Sequence, residues 1–469
     1  MNILKQLFSY SIGSVLVMVI GIVSVPIITR LISPEEFGEA NLIISIGIII
    51  VSVAMFGLDQ AFVRFYFDTN PKILFFKCLG SSLLLSCLLS LMIIVFKDSL
   101  VIQFGFTSSQ AIYSLILYIN SYIVFRFNLL VLRMLQFGYR YSLVQVLQKV
   151  LDLLFLILFL YSLIKESTAF VLSASMTMLL LTIVIFFMTI GFWKGNSEKQ
   201  PTLPHAKLLK YSIPIMISSL IMVLFQSIDK LLLGKYGSKM DLGIYVGLYK
   251  IIGILGLFQI SFSMFWATAS LKMYKENPDN KFFFTNITNA VIFFMLSVGI
   301  CVVLLRDYII LILGKEYRNY VEIILILTNI PILMTISEAT VQGINFKLKT
   351  KLHIYISSCV LVITTVIGII LTKQFSVLGI SFAMVIGYVL FFLLRTYYGL
   401  KNFPFKVKLK ELSVMLFLYN IWIALAFFVT NTIVVNVIGA FTLTCFNIMF
   451  FYREISLFIK FIKVNLIRK

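Results

Sequence analysis

The sequence predicts an all-α, polytopic membrane protein with about fourteen transmembrane helices. Three observations predict it. The 469 residues are 61% hydrophobic and 12% charged, about half the charge of an ordinary soluble domain. Apolar runs long enough to cross the hydrocarbon recur along the chain. The charges between those runs are unevenly distributed, as membrane topology requires. A chain this long and apolar cannot cover itself with polar surface, so lipid is the solvent for most of it.

The runs fall near residues 8–29, 40–62, 74–96, 112–134, 143–163, 168–192, 209–232, 242–265, 283–305, 320–344, 352–372, 377–397, 411–430 and 433–452. The first follows Lys5 and extends from Phe8 to Thr29. That is longer than the apolar region of a cleavable signal, and no small-residue cleavage site follows, so it reads as the first membrane helix. Turn residues and charge separate the runs at Ser33-Pro34-Glu35-Glu36, Asn70-Pro71-Lys72, Asn277-Pro278-Asp279 and Asn402-Phe403-Pro404. Asn431 and Thr432 divide the last two.

Lys and Arg set the orientation. With the N-terminus inside, the alternate connections carry about 27 of them, against 10 on the opposite side. Both termini then lie in the cytoplasm, which agrees with an even number of spans. The net charge of +20 therefore reads as topology and attraction to the anionic headgroups of a phospholipid membrane, not as a nucleic-acid surface. The outer connections are short, and the longest lies around 306–319.

Much chemistry is absent from the sequence. Cys78, Cys87, Cys301, Cys359 and Cys445 all fall inside apolar runs and read as free, buried thiols. The two histidines, His205 and His353, are far apart and on the predicted cytoplasmic side, so no metal site is expected. There is no Walker A loop, GxSxG or HExxH. Catalysis is not expected, and no cofactor is implied beyond coupling to H+ or Na+.

An internal repeat organises the chain. Leu4-Lys5 with Phe8-Ser9-Tyr10-Ser11-Ile12 is similar to Leu208-Leu209-Lys210-Tyr211-Ser212-Ile213. Thr29-Arg30-Leu31-Ile32 parallels Asp229-Lys230-Leu231-Leu232, and Glu36-Phe37-Gly38 parallels Asp241-Leu242-Gly243. Leu135-Gln136-Phe137-Gly138 and Val341-Gln342-Gly343 end the fourth helix of each half. The matches keep their order, which gives two six-helix pseudo-repeat bundles, 1–194 and 209–400. A cytoplasmic linker, 195–208, joins them. Residues 401–469 add two helices and a basic cytoplasmic tail. Repeated halves suit alternating access, in which one bundle rocks against another.

Ionisable groups in hydrocarbon cost about 2.5–3.5 kcal/mol each on insertion scales, so each needs a partner or a function. Arg126, Arg133 and Arg140 are spaced by seven, which places them on nearly one face of the fourth helix. Gln145, Gln148, Lys149 and Asp152 share a face of the fifth. Arg126 and Asp152 are equally far from the turn near Tyr139, so an ion pair or shared polar cavity is expected. It serves either packing alone or a cationic track from the cytoplasm. By the same count Asp229 pairs with Lys250 across the turn near Lys239. Glu338 is expected to meet Arg133 when the cytoplasmic side closes. Asp59, beside Gln60 and Arg64, marks the cytoplasmic end of helix two. Asp59, Asp152 and Glu338 are the candidates for ion coupling.

These residues carry a family resemblance. Gly57-Leu58-Asp59-Gln60-Ala61-Phe62-Val63-Arg64-Phe65 resembles the segment closing helix two in Wzx-type polysaccharide repeat-unit flippases. Ser212-Ile213-Pro214, Ser227-Ile228-Asp229-Lys230, Asp241-Leu242-Gly243-Ile244-Tyr245 and Tyr249-Lys250-Ile251 resemble that family's helix seven–eight signature. Thr29 to Gly38 resembles its first loop. The resemblance covers nearly the whole chain and implies the multidrug/oligosaccharidyl-lipid/polysaccharide exporter fold in a bacterial plasma membrane. It implies an undecaprenyl-pyrophosphate-linked oligosaccharide substrate for O-antigen, lipopolysaccharide or capsule, with a polysaccharide polymerase as a further partner. It also implies a groove for the lipid tail at about 411–452. Arg64, Arg126, Arg133 and Lys250 are then the candidates for pyrophosphate binding, since Arg suits bidentate phosphate contacts. Asp59, Asp152, Asp229 and Glu338 are charge partners or coupling groups. Two other readings stand beside this one. A cation-coupled multidrug exporter of the same fold would need acids facing an apolar cavity. A membrane glycan polymerase or ligase is opposed by the short outer connections.

Overall fold

The computed structural model describes residues 3–106, 109–162, 166–194, 203–428 and 436–452. Every regular element among them is helical. In order these are α1 (Ile3–Leu31), α2 (Pro34–Met55), α3 (Leu58–Phe65), α4 (Pro71–Val95), α5 (Lys97–Phe104) and α6 (Ser109–Met134). Then come α7 (Gly138–Leu160), α8 (Glu166–Met188), α9 (Ile190–Lys194), α10 (His205–Tyr236), α11 (Lys239–Glu276), α12 (Lys281–Leu304) and α13 (Arg306–Leu311). A 3-10 turn, Lys315–Tyr320, leads into α14 (Val321–Leu327), α15 (Asn329–Thr340) and α16 (Gln342–Phe346). The series closes with α17 (Lys351–Asn402), α18 (Leu409–Phe428) and α19 (Asn436–Tyr452).

Among the described residues ten segments are long and apolar enough to cross a membrane, and the two parts of α11, Lys239–Gly253 and Phe258–Glu276, bent by 46°, pass the same test together, which gives up to eleven. The protein is a multi-pass membrane protein. Large apolar side chains such as Leu84, Leu91, Val362 and Phe441 stand exposed on its helices, as lipid solvent permits. Cys78 is buried and Cys359 half-buried, but Cys87, Cys301 and Cys445 are exposed. The expectation of five buried thiols is corrected accordingly, since a thiol that faces lipid needs no packed interior. Residues 195–202 of the expected linker, the break at Asn431 and Thr432, and the tail from Arg453 lie outside the described residues.

The turn chemistry read from the sequence sets the helix starts. Ser33 caps α2 by accepting from the Glu36 amide, with Pro34 in the first turn. Asn70 caps α4 and Asn280 caps α12 in the same way. The starts of α2 and α8 also cap each other. The Ser33 N–H donates to Glu166 Oε2 at 2.9 Å, and the Ser167 N–H donates to Glu36 Oε2 at 3.0 Å. Two orphan amides at helix N-termini are thereby met by carboxylates, which the helix dipole favours.

The 52 residues of α17 would span about 78 Å if straight, more than twice the hydrocarbon thickness. Ser376 breaks it with φ 45 and ψ −118. A Cβ on Gly379 would overlap the Leu371 carbonyl oxygen, and one on Gly387 would overlap Thr364 Oγ1. Both contacts are centred just before Ser376, so α17 is an antiparallel hairpin of two helices. The gap expected between 372 and 377 falls at this break.

The chain packs as two compact units, Met1–Val246 and Gly247–Lys469. In the first, α6, α7 and α8 pack together, α1 lies on α7, and α10 runs antiparallel along α2 and α3. The start of α11 also comes close to the start of α2: a Cβ on Gly38 would overlap the Lys239 carbonyl oxygen, and one on Gly243 would overlap that of Pro34. Small residues let backbones approach this way in membranes. In the second unit α15 packs on α12 and α17, while α18 packs on α12 and α14. Thr328 and Tyr419 hydroxyls meet at 2.8 Å, and Asn329 donates to Asn420 at 3.1 Å. Asn447 donates to Ser297 at 2.9 Å, so both closing helices are tied to this unit by polar bonds.

Helix two ends at Met55 because Phe56 and Gly57 take positive φ, 51 and 69. Only glycine fits at 57, since a Cβ would also sit 2.6 Å from the Ser212 carbonyl oxygen on α10. Gly57→Ala is expected to lose about 1–2 kcal/mol to backbone strain, and more to that clash. Thermal unfolding in detergent checks it against Gly80→Ala, where a Cβ meets nothing within 4 Å. A lowered melting temperature for the first variant and none for the second is the expected pair.

Candidate functional site

The break at Phe56–Gly57 redirects the chain, and the short α3 then packs against α6. Asp59, in the first turn of α3, reaches Arg126 on α6, with Asp59 Oδ2 to Arg126 Nη2 at 3.5 Å. Gln60 donates to the same Oδ2 at 2.9 Å. The Arg126 side chain keeps 31% exposure, so most of its five donors remain open to another acceptor. Arg126 therefore pairs with Asp59, and the pair expected between Arg126 and Asp152 is corrected. Counting residues from a turn gives height along a helix but not direction around it, and the helix-two break brings in a competing acid.

The other arginines spread apart. Helix α6 ends at Met134, and Gln136 takes φ 58. Arg140 therefore belongs to the first turn of α7 and does not continue the face of Arg126 and Arg133. It donates to the Met188 carbonyl at 2.8 Å and lies 4.6 Å from the Phe137 ring centroid. Arg133 is exposed. Arg64 is exposed too and pairs with Asp68 at 3.0 Å.

Asp229 is buried and accepts from the Tyr245 hydroxyl at 2.9 Å. The adjacent Lys230 Nζ lies 3.3 Å from it. These bonds lie within the first unit, whereas the expected partner Lys250, half-buried on α11, belongs to the second. Asp152 makes no salt bridge among the described residues. Its Oδ1 is buried, and the Thr177 hydroxyl on α8 stands beside the carboxylate.

The first unit holds one further ion pair that the hydropathy pattern does not reveal. Glu39 is fully buried and meets Lys239 Nζ at 2.8 Å. The expected second span begins at residue 40, which assigns Glu39 to a loop. Two acids before it, Glu35 and Glu36, support that assignment. The signal lies in the ordered matches around Gly38 and Gly243, which align the two partners' neighbourhoods.

In the second unit Glu338 meets Arg395 at 2.8 Å. Arg395 also donates to Ser337 Oγ at 3.0 Å and lies 4.9 Å from the Phe391 ring centroid. From there a polar chain continues. Gln342 donates to the Glu338 carbonyl at 3.1 Å, Asn345 donates to Gln342 Oε1 at 3.1 Å, and His353 Nε2 lies 2.9 Å from Asn345 Oδ1. Arg395 falls at the very end of the expected run 377–397, but α17 runs on to Asn402 and buries it. Arg133, the expected partner of Glu338, lies in the first unit. Among the described residues no group of three or more His, Cys, Asp or Glu is placed to hold a metal ion.

Comparison with known proteins places this arrangement. Residues 3–266 match the model of a family described as polysaccharide biosynthesis protein. Over 189 residues the chain is 27% identical to the capsular polysaccharide biosynthesis protein CapF of Staphylococcus aureus. That match covers 38% of this chain and 45% of CapF, less than half the relative's length. Among solved structures the chain resembles the lipid II flippase MurJ in an inward closed conformation. The TM-score is 0.67 and the identity 14%, over 97% of this chain and 99% of that one. It also resembles an inward-facing multidrug resistance MATE transporter of the MOP superfamily. There the TM-score is 0.57 and the identity 16%, over 85% and 98% of the two chains. At these identities the structural matches show a shared fold.

Removing one member of a buried pair leaves an uncompensated charge, which costs about 3–5 kcal/mol. Glu39→Gln is expected to lower the melting temperature sharply. The double variant Glu39→Met with Lys239→Leu is expected to recover most of the loss. Thermal unfolding of the three proteins in detergent tests this, and equal melting of Glu39→Gln and the parent would contradict it.

Proposed function

The chain belongs to the polysaccharide biosynthesis protein family, and from that premise we propose that it is a lipid-linked oligosaccharide flippase. It moves undecaprenyl-pyrophosphate-linked repeat units from the cytoplasmic to the outer leaflet of a bacterial plasma membrane by alternating access. The products serve O-antigen or capsular polysaccharide, and a polymerase then receives the units. The observation that carries this reading is Arg126. It is a guanidinium within a membrane helix, held by one carboxylate at 3.5 Å and one-third exposed.

A pyrophosphate headgroup brings concentrated negative charge into a medium of low dielectric constant. Arginine answers it with paired, charge-assisted hydrogen bonds. Asp59 is a placeholder in this reading. It neutralises Arg126 between cargoes and yields when phosphate oxygens arrive. Arg64, Arg133 and Lys250 attract the headgroup as it moves. The polyprenyl tail stays in lipid, and the two closing helices give it a groove. Two six-helix halves, 1–194 and 209–400, supply the moving parts, with the linker and both termini in the cytoplasm. The protein acts as a transporter without covalent chemistry, driven by coupling to H+ or Na+.

A cation-coupled drug exporter is the second reading, supported by the MATE-like fold. It is disfavoured by Arg126, because a guanidinium within the membrane repels the cationic cargo that such a cavity would hold.

The test is flipping of a labelled polyprenyl-pyrophosphate-linked oligosaccharide in vesicles that contain the purified protein. Losing a hydrogen bond to a charged group costs about 1.5–3 kcal/mol, so Arg126→Gln is expected to slow flipping about tenfold or more. Lys272→Gln, in an exposed pair with Glu276, is expected to leave the rate unchanged. Flipping at the parental rate by Arg126→Gln would overturn the role of this residue. Efflux of a cationic dye without lipid flipping would favour the second reading.

A further inference from the structure

The turn between α16 and α17 meets the last turn of α17 in a cleft that the transport reading leaves unused. Its volume is about 440 Å³, within the range of pockets that take small ligands. Three cations line it: Lys349 in the turn, Lys351 at the start of α17 and Lys401 near its end. None of the described residues that line it is acidic. None of the three lysines joins an ion pair among the described residues.

The hairpin gathers these charges. Lys351 and Lys401 stand at opposite ends of α17 in sequence, and the break at Ser376 folds both to one end of the helix pair. The turn itself is tight. The Leu348 N–H donates to the Asn345 carbonyl and the Lys349 N–H to the Ile344 carbonyl, each at 3.1 Å. Leu348 takes φ 53, which few bulky residues adopt, and its side chain projects outward, 83% exposed. The cleft adjoins the apolar runs 352–372 and 377–397, so it lies where hydrocarbon gives way to headgroups. Tyr355 and Tyr397, both exposed, mark the same level on the two arms. Lys401 Nζ lies 5.7 Å from the Tyr397 ring centroid.

Like charges gathered without an acid repel one another until an anion joins them. Both ends of α17 line the cleft, so their helix-dipole contributions oppose each other and the lysines set its sign. An ammonium binds phosphate as a point charge, with three donors that turn freely. A soluble anion answers the lysines but not the apolar surface beside them. A phospholipid answers both: its phosphate meets the lysines, and its chains lie along Leu348 and the exposed faces of the two arms.

We propose that this cleft is a binding site for one anionic phospholipid, whose phosphate is held by Lys349, Lys351 and Lys401 and whose chains pack beside Leu348. The bound lipid joins the two ends of the α17 hairpin, whose second arm carries Arg395. It is a site of fixed stoichiometry, distinct from the diffuse attraction of a basic protein to an anionic membrane. It stands without the flippase reading.

The experiment is native mass spectrometry of the purified full-length protein in neutral detergent, titrated with phosphatidylglycerol or phosphatidylcholine. The parent is expected to hold one phosphatidylglycerol more tightly than any phosphatidylcholine. The triple variant Lys349→Gln, Lys351→Gln, Lys401→Gln is expected to bind that lipid about a hundredfold more weakly, at the usual contribution of a lysine beside an anionic surface. The control triple Lys272→Gln, Lys275→Gln, Lys281→Gln removes the same charge from exposed positions outside the cleft and is expected to bind as the parent does. Equal loss in the two triples, or loss in neither, would overturn the site. If the cleft triple does not fold, Lys401→Gln alone takes its place, with about a fivefold loss expected and unchanged binding overturning the proposal. Leu348→Ser separates lipid from free anion. It is expected to weaken phosphatidylglycerol severalfold. Parental binding by Leu348→Ser, or displacement of the lipid by an equal concentration of inorganic phosphate, would make the cleft a soluble-anion site and overturn the assignment.

Discussion

Hydrocarbon supplies neither hydrogen bonds nor counterions, so each charge the chain carries into the membrane must find its answer within the protein. Three ion pairs among the described residues meet this demand, and they coincide with the places where helices bend, break or meet closely. Glu39 and Lys239 join where the backbones of α2 and α10–α11 approach through Gly38 and Gly243. Asp59 reaches Arg126 because the preceding two residues leave the helical conformation. Glu338 and Arg395 join α15 to the second arm of the α17 hairpin. Charge and backbone geometry are one design here: a break re-aims a side chain, and the resulting pair fixes the break.

Much of this is legible in the amino-acid sequence. Hydropathy marks where helices lie, and Pro, Asn, Ser and Gly mark where they start and stop. Asn70-Pro71 and Ser33-Pro34 act as caps as their chemistry predicts. The hairpin of α17 is visible as two apolar runs with a short gap. The pairing of charges is not legible, for a physical reason. Arg126 and Asp152 are equidistant from their turn, but partner choice depends on direction around the helix and on which third helix intrudes. The left-handed conformation at Phe56, a bulky non-glycine residue, is not written in hydropathy, and it is what delivers Asp59. Glu39 and Arg395 escape notice because both sit towards the ends of long helices, where charge reads as loop. Packing at those helix ends buries Glu39 and Arg395.

An asymmetry in the quality of the pairs separates structure from function. Glu39–Lys239 and Glu338–Arg395 are short, at 2.8 Å each. They suit permanent fastening, since a buried pair that loses one member is severely penalised. Asp59–Arg126 is longer and one-third open on the arginine side, which suits a cation that must exchange partners. Asp152 is looser still and lacks a counterion at contact distance among the described residues. The short pairs suit holding the bundle, and the longer, more open pair suits an exchange of partners.

The proposed activity decides which leaflet the lipid-linked sugar occupies. The direct measurement is made in a strain lacking this gene, with periplasm-accessible and total undecaprenyl-pyrophosphate-linked oligosaccharide quantified separately. A flippase predicts that the units still form, accumulate, and remain inaccessible from outside until the gene is restored. Units that reach the outer leaflet at the normal rate without the protein would contradict the account.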